Sequence, residues 1–220
     1  MVKIKKPNFW TIIFGIGFVI SALINIFLYN KKQTPLIPQY SVLAVLDGDT
    51  FLMEGKNKIR LRQIQAPELN LCGGPEAKTA LEKLIIGKKV RLENQIPDPW
   101  GRSMAIVFVG DENVNEKLIA SGLVRYYHDN TPFEDQLKKA ALDAENKQKG
   151  IYAKCETATP PNPKCVIKAN IRLERKTRKY YLPDCPQYNF TKISQDLGEK
   201  WFCSEKEAKA AGFTKAENCK

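Results

Sequence analysis

Apolar and polar residues fall into short, near-alternating runs over Tyr40–Leu46, Thr50–Met53 and Lys58–Ile64, the repeat of strands with one buried face. The breaks between them, Asp47-Gly48-Asp49 and Glu54-Gly55-Lys56-Asn57, are turn sequences, so the three runs read as a meander. The period then changes. From Pro75 to Ile86 the apolar positions Ala77, Ala80, Leu81, Leu84 and Ile85 follow helical spacing and stop at Gly87. Two further strands are expected at Lys89–Glu93 and Met104–Val109, split by the turn-rich Pro97-Asp98-Pro99-Trp100-Gly101. Helices are expected at Asn113–Ser121, closed by Gly122, and at Phe133–Lys149, closed by Gly150.

Ahead of this pattern, Phe9–Tyr29 is almost unbroken apolar sequence, roughly the 20 residues a helix needs to cross about 30 Å of hydrocarbon. Lys3, Lys5 and Lys6 precede it and Lys31 and Lys32 follow. That excess of cations before the run predicts a cytoplasmic N-terminus, with everything from Tyr40 onward outside. The alternative is a cleaved secretory signal, but no good small-x-small cleavage site lies between Ala22 and Gln33. An uncleaved anchor is therefore the expectation, with residues 30–39 and their two prolines as a linker.

The C-terminal part has a different character. Residues 156–164 are rich in proline and threonine, and Cys165, Cys185, Cys203 and Cys219 follow. A strand is expected from Cys165 to Leu173, a basic run from Arg172 to Lys179, and a helix from Ser204 to Ala211. A unit this small needs a staple. No Cys-x-x-Cys pair is present, which weakens a zinc site, and an address outside the cytoplasm favours disulfides. Cys72 and Cys155 bring the count to six and could pair with each other, although sequence does not choose the connectivity.

The expected fold is thus mixed α and β. It is a five-stranded barrel of the oligonucleotide-binding type with about three helices, preceded by one transmembrane helix and followed by a small cysteine-stapled module. In domain terms the expectation is a cytoplasmic N-terminus 1–8, a transmembrane helix 9–29, a linker 30–39, the barrel domain 40–154, a second linker 155–164 and the module 165–220.

Charge sharpens the picture. The 220 residues are 43% hydrophobic and 27% charged, the balance of a folded chain and not a disordered one. The net charge of +11 points to a polyanionic partner, either nucleic acid or an anionic membrane surface. Asp47 and Asp49 flank a glycine at a strand end, where their carboxylates can converge on a hard cation such as Ca²⁺; an ordinary hairpin turn is the other reading of the same three residues. Arg60 and Arg102 supply planar charged forks matched to phosphate, and Glu68, on a loop just after a strand, is placed to serve as a general base toward water. Those are the parts that phosphodiester hydrolysis needs.

Four ordered blocks carry a resemblance. They are Asp47-Gly48-Asp49-Thr50, then Arg60-Leu61-Arg62-x-Ile64-x-Ala66-Pro67-Glu68, then Asp98-x-Trp100-Gly101-Arg102, and Val114-Asn115-Glu116-x-Leu118-x-x-x-Gly122-Leu123. In order and spacing they resemble the thermonuclease, or staphylococcal-nuclease-like, family over about residues 40–153. The resemblance implies Ca²⁺-dependent cleavage of single-stranded or locally opened DNA and RNA. It implies that Asp49 is a metal ligand, that Thr50 lends its backbone carbonyl, that Asp47 stands just behind them, and that Arg60 and Arg102 hold the phosphate while Glu68 acts on the attacking water. Gln65 stands where that family usually has a second metal-binding aspartate. Trp100 falls where it has an aromatic residue near the phosphate, while Pro99 replaces the lysine often found before it.

Tyr126, Tyr127 and His128 lie where a base would stack on a ring, although packing of one tyrosine under the last helix is an equal expectation. Lys138, Lys139, Lys147 and Lys149 read as a solvated helix face or as a track for nucleic acid. The tail resembles a small cysteine module appended to some bacterial nucleases. Taken together, these residues point to a membrane-anchored nuclease outside the cytoplasm. The alternatives are a weak or inactive nucleic-acid-binding barrel, or a basic cell-surface protein that binds polyanions.

Overall fold

The computed structural model describes residues 9–32, 38–99, 101–172, 175, 177–217 and 219. The chain divides into two units, Met1–Pro38 and Gln39–Lys220.

Within the first, helix α1 spans Phe9–Lys32 and leaves Phe14, Phe18 and Leu23 exposed. Among the described residues no helix is long and apolar enough to cross a membrane. The flanking lysines Lys3, Lys5 and Lys6 and half of the expected linker, residues 33–37, lie outside the described residues.

The second unit opens with strands β1 (Gln39–Val45), β2 (Thr50–Met53), β3 (Lys58–Leu61) and the short β4 (Ile64–Gln65). Helix α2 (Gly74–Ile85) follows, with Pro75 in its first turn. Then come β5 (Lys89–Pro97), β6 (Ser103–Val109), β7 (Glu112–Asn113), α3 (Val114–Ala120), β8 (Arg125–Tyr126), α4 (Glu134–Asn146) and α5 (Ile151–Lys154). Antiparallel pairing runs β3-β2-β1-β5-β6, and β6 then pairs parallel with β3, so the five strands close into a ring. Their inward side chains, with those of α2, α3 and α4, make one core around Phe51, Ile59, Leu61, Leu81, Ile106 and Leu118. Burying such side chains stabilises by about 1.5–3 kcal/mol each.

Two local features depart from the sequence reading. The third strand was expected to run unbroken to Ile64, but it stops at Leu61 because Gln63 turns to φ +62°. Tertiary hydrogen bonds hold that turn: the Gln63 amide donates to the Asp129 carbonyl and accepts from the Thr131 hydroxyl, both at 2.5 Å. The fifth strand reaches Pro97, beyond Glu93, by way of an irregularity between Glu93 and Ile96. The glycines read as helix stops have a second duty. At Gly122, with φ +71°, a Cβ would lie 2.5 Å from the Lys149 carbonyl, and at Gly150, with φ +53°, 2.3 Å from the Gly122 carbonyl. The two glycines let the ends of α3 and α4 touch backbone to backbone.

The tail packs onto this frame. Strand β9 (Glu156–Thr157), in the stretch expected to be a linker, pairs antiparallel with β12 (Ile193–Ser194). The hairpin β10 (Ile167–Arg172) and β11 (Thr177–Tyr181), with β13 (Lys200–Phe202), helix α6 (Glu205–Ala210) and β14 (Thr214–Lys215), surrounds a small core of Ile167, Ala169, Tyr180, Ala208 and Phe213. Buried Asp196 accepts two hydrogen bonds from Arg125 of β8, at 2.6 and 3.0 Å, and Glu156 accepts another at 3.2 Å. Residues 39–220 are accordingly one compact unit.

Disulfides join Cys165 to Cys203 and Cys185 to Cys219, the staple expected of the tail, and Cys72 to Cys155. Among the described residues no cysteine is free, and no group of three or more His, Cys, Asp and Glu could hold a metal, so the zinc alternative finds no ligand set there. The Cys72–Cys155 bridge spans 83 residues, for which chain entropy gives a stabilisation of about 4.5 kcal/mol. Cys72→Ser/Cys155→Ser is therefore expected to lower unfolding free energy by roughly that amount. Urea titration under non-reducing conditions measures it, and an unchanged midpoint would mean that the bridge does not form.

Candidate active site

The site grows from the turn between β1 and β2. Gly48 is required there: a Cβ on it would lie 2.6 Å from the Cβ of Ala77 and 2.7 Å from that of Ala66. The turn thus seats against α2 and the Ala66 backbone, and this contact buries Asp49 to 2% exposure. Asp47 braces it by accepting the Asp49 N–H at 3.0 Å.

Each oxygen of Asp49 has donors. One accepts the Ala66 N–H and the other the Thr50 hydroxyl, both at 2.9 Å, and the second also pairs with the Arg60 guanidinium. Burial lifts the Asp49 carboxyl to about 6, against the pull of Arg60 and these hydrogen bonds. Arg60 arrives by strand register, because it lies opposite Thr50 in the β2–β3 pair. Its other terminal nitrogen donates to the Gln65 Oε1 at 2.9 Å. Asp49, Arg60 and Gln65 therefore form one cluster.

Arg102 comes to the next strand. β3 and β6 are parallel, with Ile59 opposite Ser103 and Arg60 opposite Met104, so Arg102, the residue before β6, comes beside Lys58, two residues ahead of Arg60 on β3. Buried Asp98 accepts the Arg102 backbone N–H at 2.8 Å and its Nε at 2.6 Å. These two bonds orient the guanidinium. Trp100, between them in sequence, lies outside the described residues.

Glu68 is exposed on the turn after β4. Its carbonyl accepts the Leu71 N–H at 2.8 Å, and Gly74 approaches so closely that a Cβ there would lie 2.1 Å from that carbonyl. The backbone of the turn is held while its carboxylate meets solvent.

The three aromatic positions divide. Tyr126 packs against the core, and burial raises its phenol. Tyr127 is 52% exposed, its N–H bonded to the Gln63 carbonyl at 2.9 Å. His128 is exposed, with Nδ1 2.6 Å from Glu134.

Sequence reasoning passed over three residues that shape the site. Buried Arg62 pairs with Asp129 and donates to the Asn94 and Asn130 carbonyls, while Asn115 ties the Arg62 carbonyl to the Val107 N–H. Ala66 lends Asp49 its N–H. All three stand in the blocks that carry the resemblance, but nothing in sequence tells an arginine for phosphate from one for a partner 67 residues away.

The donors near Asp49 are oxygens only: two carboxylates, the Gln65 amide and the Thr50 carbonyl, which already accepts the Leu46 N–H at 2.9 Å. That set fits a hard cation of the Ca²⁺ type in kind, with Arg60 offsetting part of its negative charge.

A family model for staphylococcal nuclease homologues matches residues 58–154. The chain is similar to the thermonuclease of Staphylococcus hyicus, 32% identical over 127 residues that cover 52% of this chain and 75% of that one. It is also similar to the thermonuclease of Staphylococcus intermedius, 33% identical with 56% and 82% covered. An uncharacterized endonuclease of Haemophilus influenzae is 29% identical, with 62% and 78% covered.

Proposed function

Because the chain belongs to the family of staphylococcal nuclease homologues and is a nuclease of that type, we propose that it hydrolyses phosphodiester bonds of DNA or RNA with a divalent cation, Ca²⁺ by the nature of its donors. In the same reading the apolar run at residues 9–29 attaches the chain to a membrane, and residues 39–220 work outside the cytoplasm. The observation that carries the reading is the joining of Asp49, Arg60 and Gln65 into one cluster, with Arg102 entering the adjacent strand.

Asp49, the Thr50 carbonyl and Gln65 would hold the cation, and Asp47 would orient Asp49. A divalent ion bound there supplies positive charge to the phosphate and lowers the pKa of a bound water. The residues do the rest. Arg60 and Arg102 grip the non-bridging phosphate oxygens with fixed forks, and their charge counts most as negative charge builds in the transition state. Glu68 takes the proton from the water that attacks phosphorus. Tyr127 offers an exposed ring to a base, a contact worth about 1–3 kcal/mol and tolerant of sequence; Tyr126 and His128 border it.

The direct test is cleavage of single-stranded DNA and RNA by the full chain in detergent, with Ca²⁺, with Mg²⁺ and with chelator. Turnover that needs a divalent ion supports the reading, and salt-sensitive binding without turnover in any metal would replace it with a binding role.

Gln65 gives a sharper test. An amide offers an oxygen but no charge, and hard cations are selected by ligand charge and number. Gln65→Asp is expected to lower the Ca²⁺ concentration for half-maximal cleavage by about tenfold, read from metal titrations of both proteins. An unchanged requirement would place Gln65 away from the metal.

The anchor rests on the apolar run at residues 9–29 and the lysines before it. Protease added outside intact cells is expected to digest the part after Lys32. Digestion only after lysis would overturn that orientation.

A further inference from the structure

The β10–β11 hairpin has two faces of different chemistry. Residues opposite in register share a face: Arg172 with Thr177, Asn170 with Lys179 and Lys168 with Tyr181. The other face turns Tyr180 into the tail core, and Arg178 covers the Phe213 ring. On the first face, Arg172, Arg175, Thr177, Lys179, Tyr181 and Gln187 line a trough of about 250 Å³. Four of the tail's acids are spent elsewhere. Asp196 holds Arg125, Glu199 accepts the Ile171 and Ser194 N–H groups, Glu205 accepts the Tyr180 hydroxyl, and Glu207 accepts the Cys203 N–H. Among the described residues, neither Arg172 nor Arg175 has an acidic partner within 4.0 Å. Among the described residues the one acid on the trough, Glu217, is exposed and 3.5 Å from Lys179, a weak surface pair that a stronger anion can displace.

Gln187 says what kind of anion. Its Oε1 is buried and has no donor within the protein, a state that costs about 1–3 kcal/mol. A bare phosphate offers mainly acceptors, whereas a nucleotide joins a phosphate to sugar hydroxyls and base amines that donate. We infer that the trough is a second nucleic-acid site, taking one nucleotide of a single strand with its phosphate on Arg172 and Lys179 and a hydroxyl or amine donated to Gln187. The inference rests on the nuclease reading for its choice of polymer. The tie from Arg125 to Asp196 and the β9–β12 pairing make the trough one body with the cleavage site. A strand held at both would therefore bind with the advantage of high effective concentration.

The test uses the full chain in detergent and the double variant Arg172→Gln/Lys179→Gln, whose side chains stay polar but lose their charge. Binding of a fluorescent 30-nucleotide single strand is measured in chelator, so that it does not depend on turnover. The variant is expected to bind about tenfold more weakly, with a salt dependence shallower by about 0.7 in log–log slope, the change for one phosphate no longer neutralised. Its kcat on that strand, and its cleavage of a trinucleotide, are expected to match the parent. Equal affinity for the long strand would overturn the inference, even if cleavage proceeds normally. Equal affinity for the strand together with lost binding to phosphatidylglycerol vesicles would overturn it in favour of a lipid surface. Weakened strand binding by the variant, in a parent protein that never cuts, would uphold the trough and sink only the cleavage reading. Circular dichroism of both proteins verifies the fold, and Gln187→Leu gives the independent check: it is expected to weaken the long strand about threefold without changing the salt slope.

Discussion

Glu68→Gln is expected to lower kcat by about 10²- to 10⁴-fold, the range removed with a general base, while the affinity for nucleic acid stays within about twofold. The asymmetry follows from where Glu68 sits. Its carboxylate is exposed on the turn after β4, and the turn is held by backbone contacts, the Leu71 N–H on its carbonyl and the close approach of Gly74. An isosteric amide changes none of these, so neither fold nor substrate grip has cause to fail. What it loses is the lone pair that takes a proton from water. Single-turnover cleavage at saturating enzyme, compared with oligonucleotide binding in chelator, separates the two effects. Full activity in the variant would remove Glu68 as the base.

Arg102→Lys is expected to lower kcat by about 10²- to 10³-fold, the loss typical of one donor aimed at developing charge. Charge is conserved, so an arginine acting only as a positive patch would be replaced without much effect. The geometry argues otherwise. Buried Asp98 holds both the Arg102 N–H and its Nε, and a lysine has no Nε and no planar fork to set against two phosphate oxygens. The ammonium would stay near the site, untethered by Asp98, and binding would fall by less than turnover. Asp98→Asn should show a smaller loss of the same kind, because it keeps the acceptor and loses the charge. Native kcat in Arg102→Lys would show that position, and not shape, is what this residue supplies.

The fold was legible where one stretch of chain carries its own instruction. The alternation over β1, β2 and β6, the helical spacing of Ala77, Leu81 and Ile85, and glycine at the ends of α3 and α4 are set within a few residues by backbone sterics and by which face can be buried. The elements of the candidate site could be read for the same reason. Asp47-Gly48-Asp49 is a turn by composition, and arginines and a glutamate in a basic chain suggest phosphate chemistry.

Other features had no local sign. Gln63 reads as a strand residue, and only its bonds to Asp129 and Thr131 turn it to positive φ. Arg60 and Arg62 look alike two residues apart, yet β3 ends at Leu61, so Arg60 on the strand meets Asp49 while Arg62, in the turn that follows, meets Asp129. Composition made residues 156–164 a linker, whereas Glu156–Thr157 became a strand once Ile193–Ser194 lay beside it. By itself, then, the sequence determined which residues could form strands, helices and turns, how many cysteines there were to pair, and which side chains had the chemistry for a phosphodiester. The tertiary structure decided which of those side chains meet, which cysteines join, and that the tail is bound to the nuclease part through Arg125 and Asp196. The physical reason is range: periodicity and turn chemistry act over a few residues, while an ion pair such as Arg125–Asp196, 71 residues apart in sequence, exists only after packing has brought its partners out of water together.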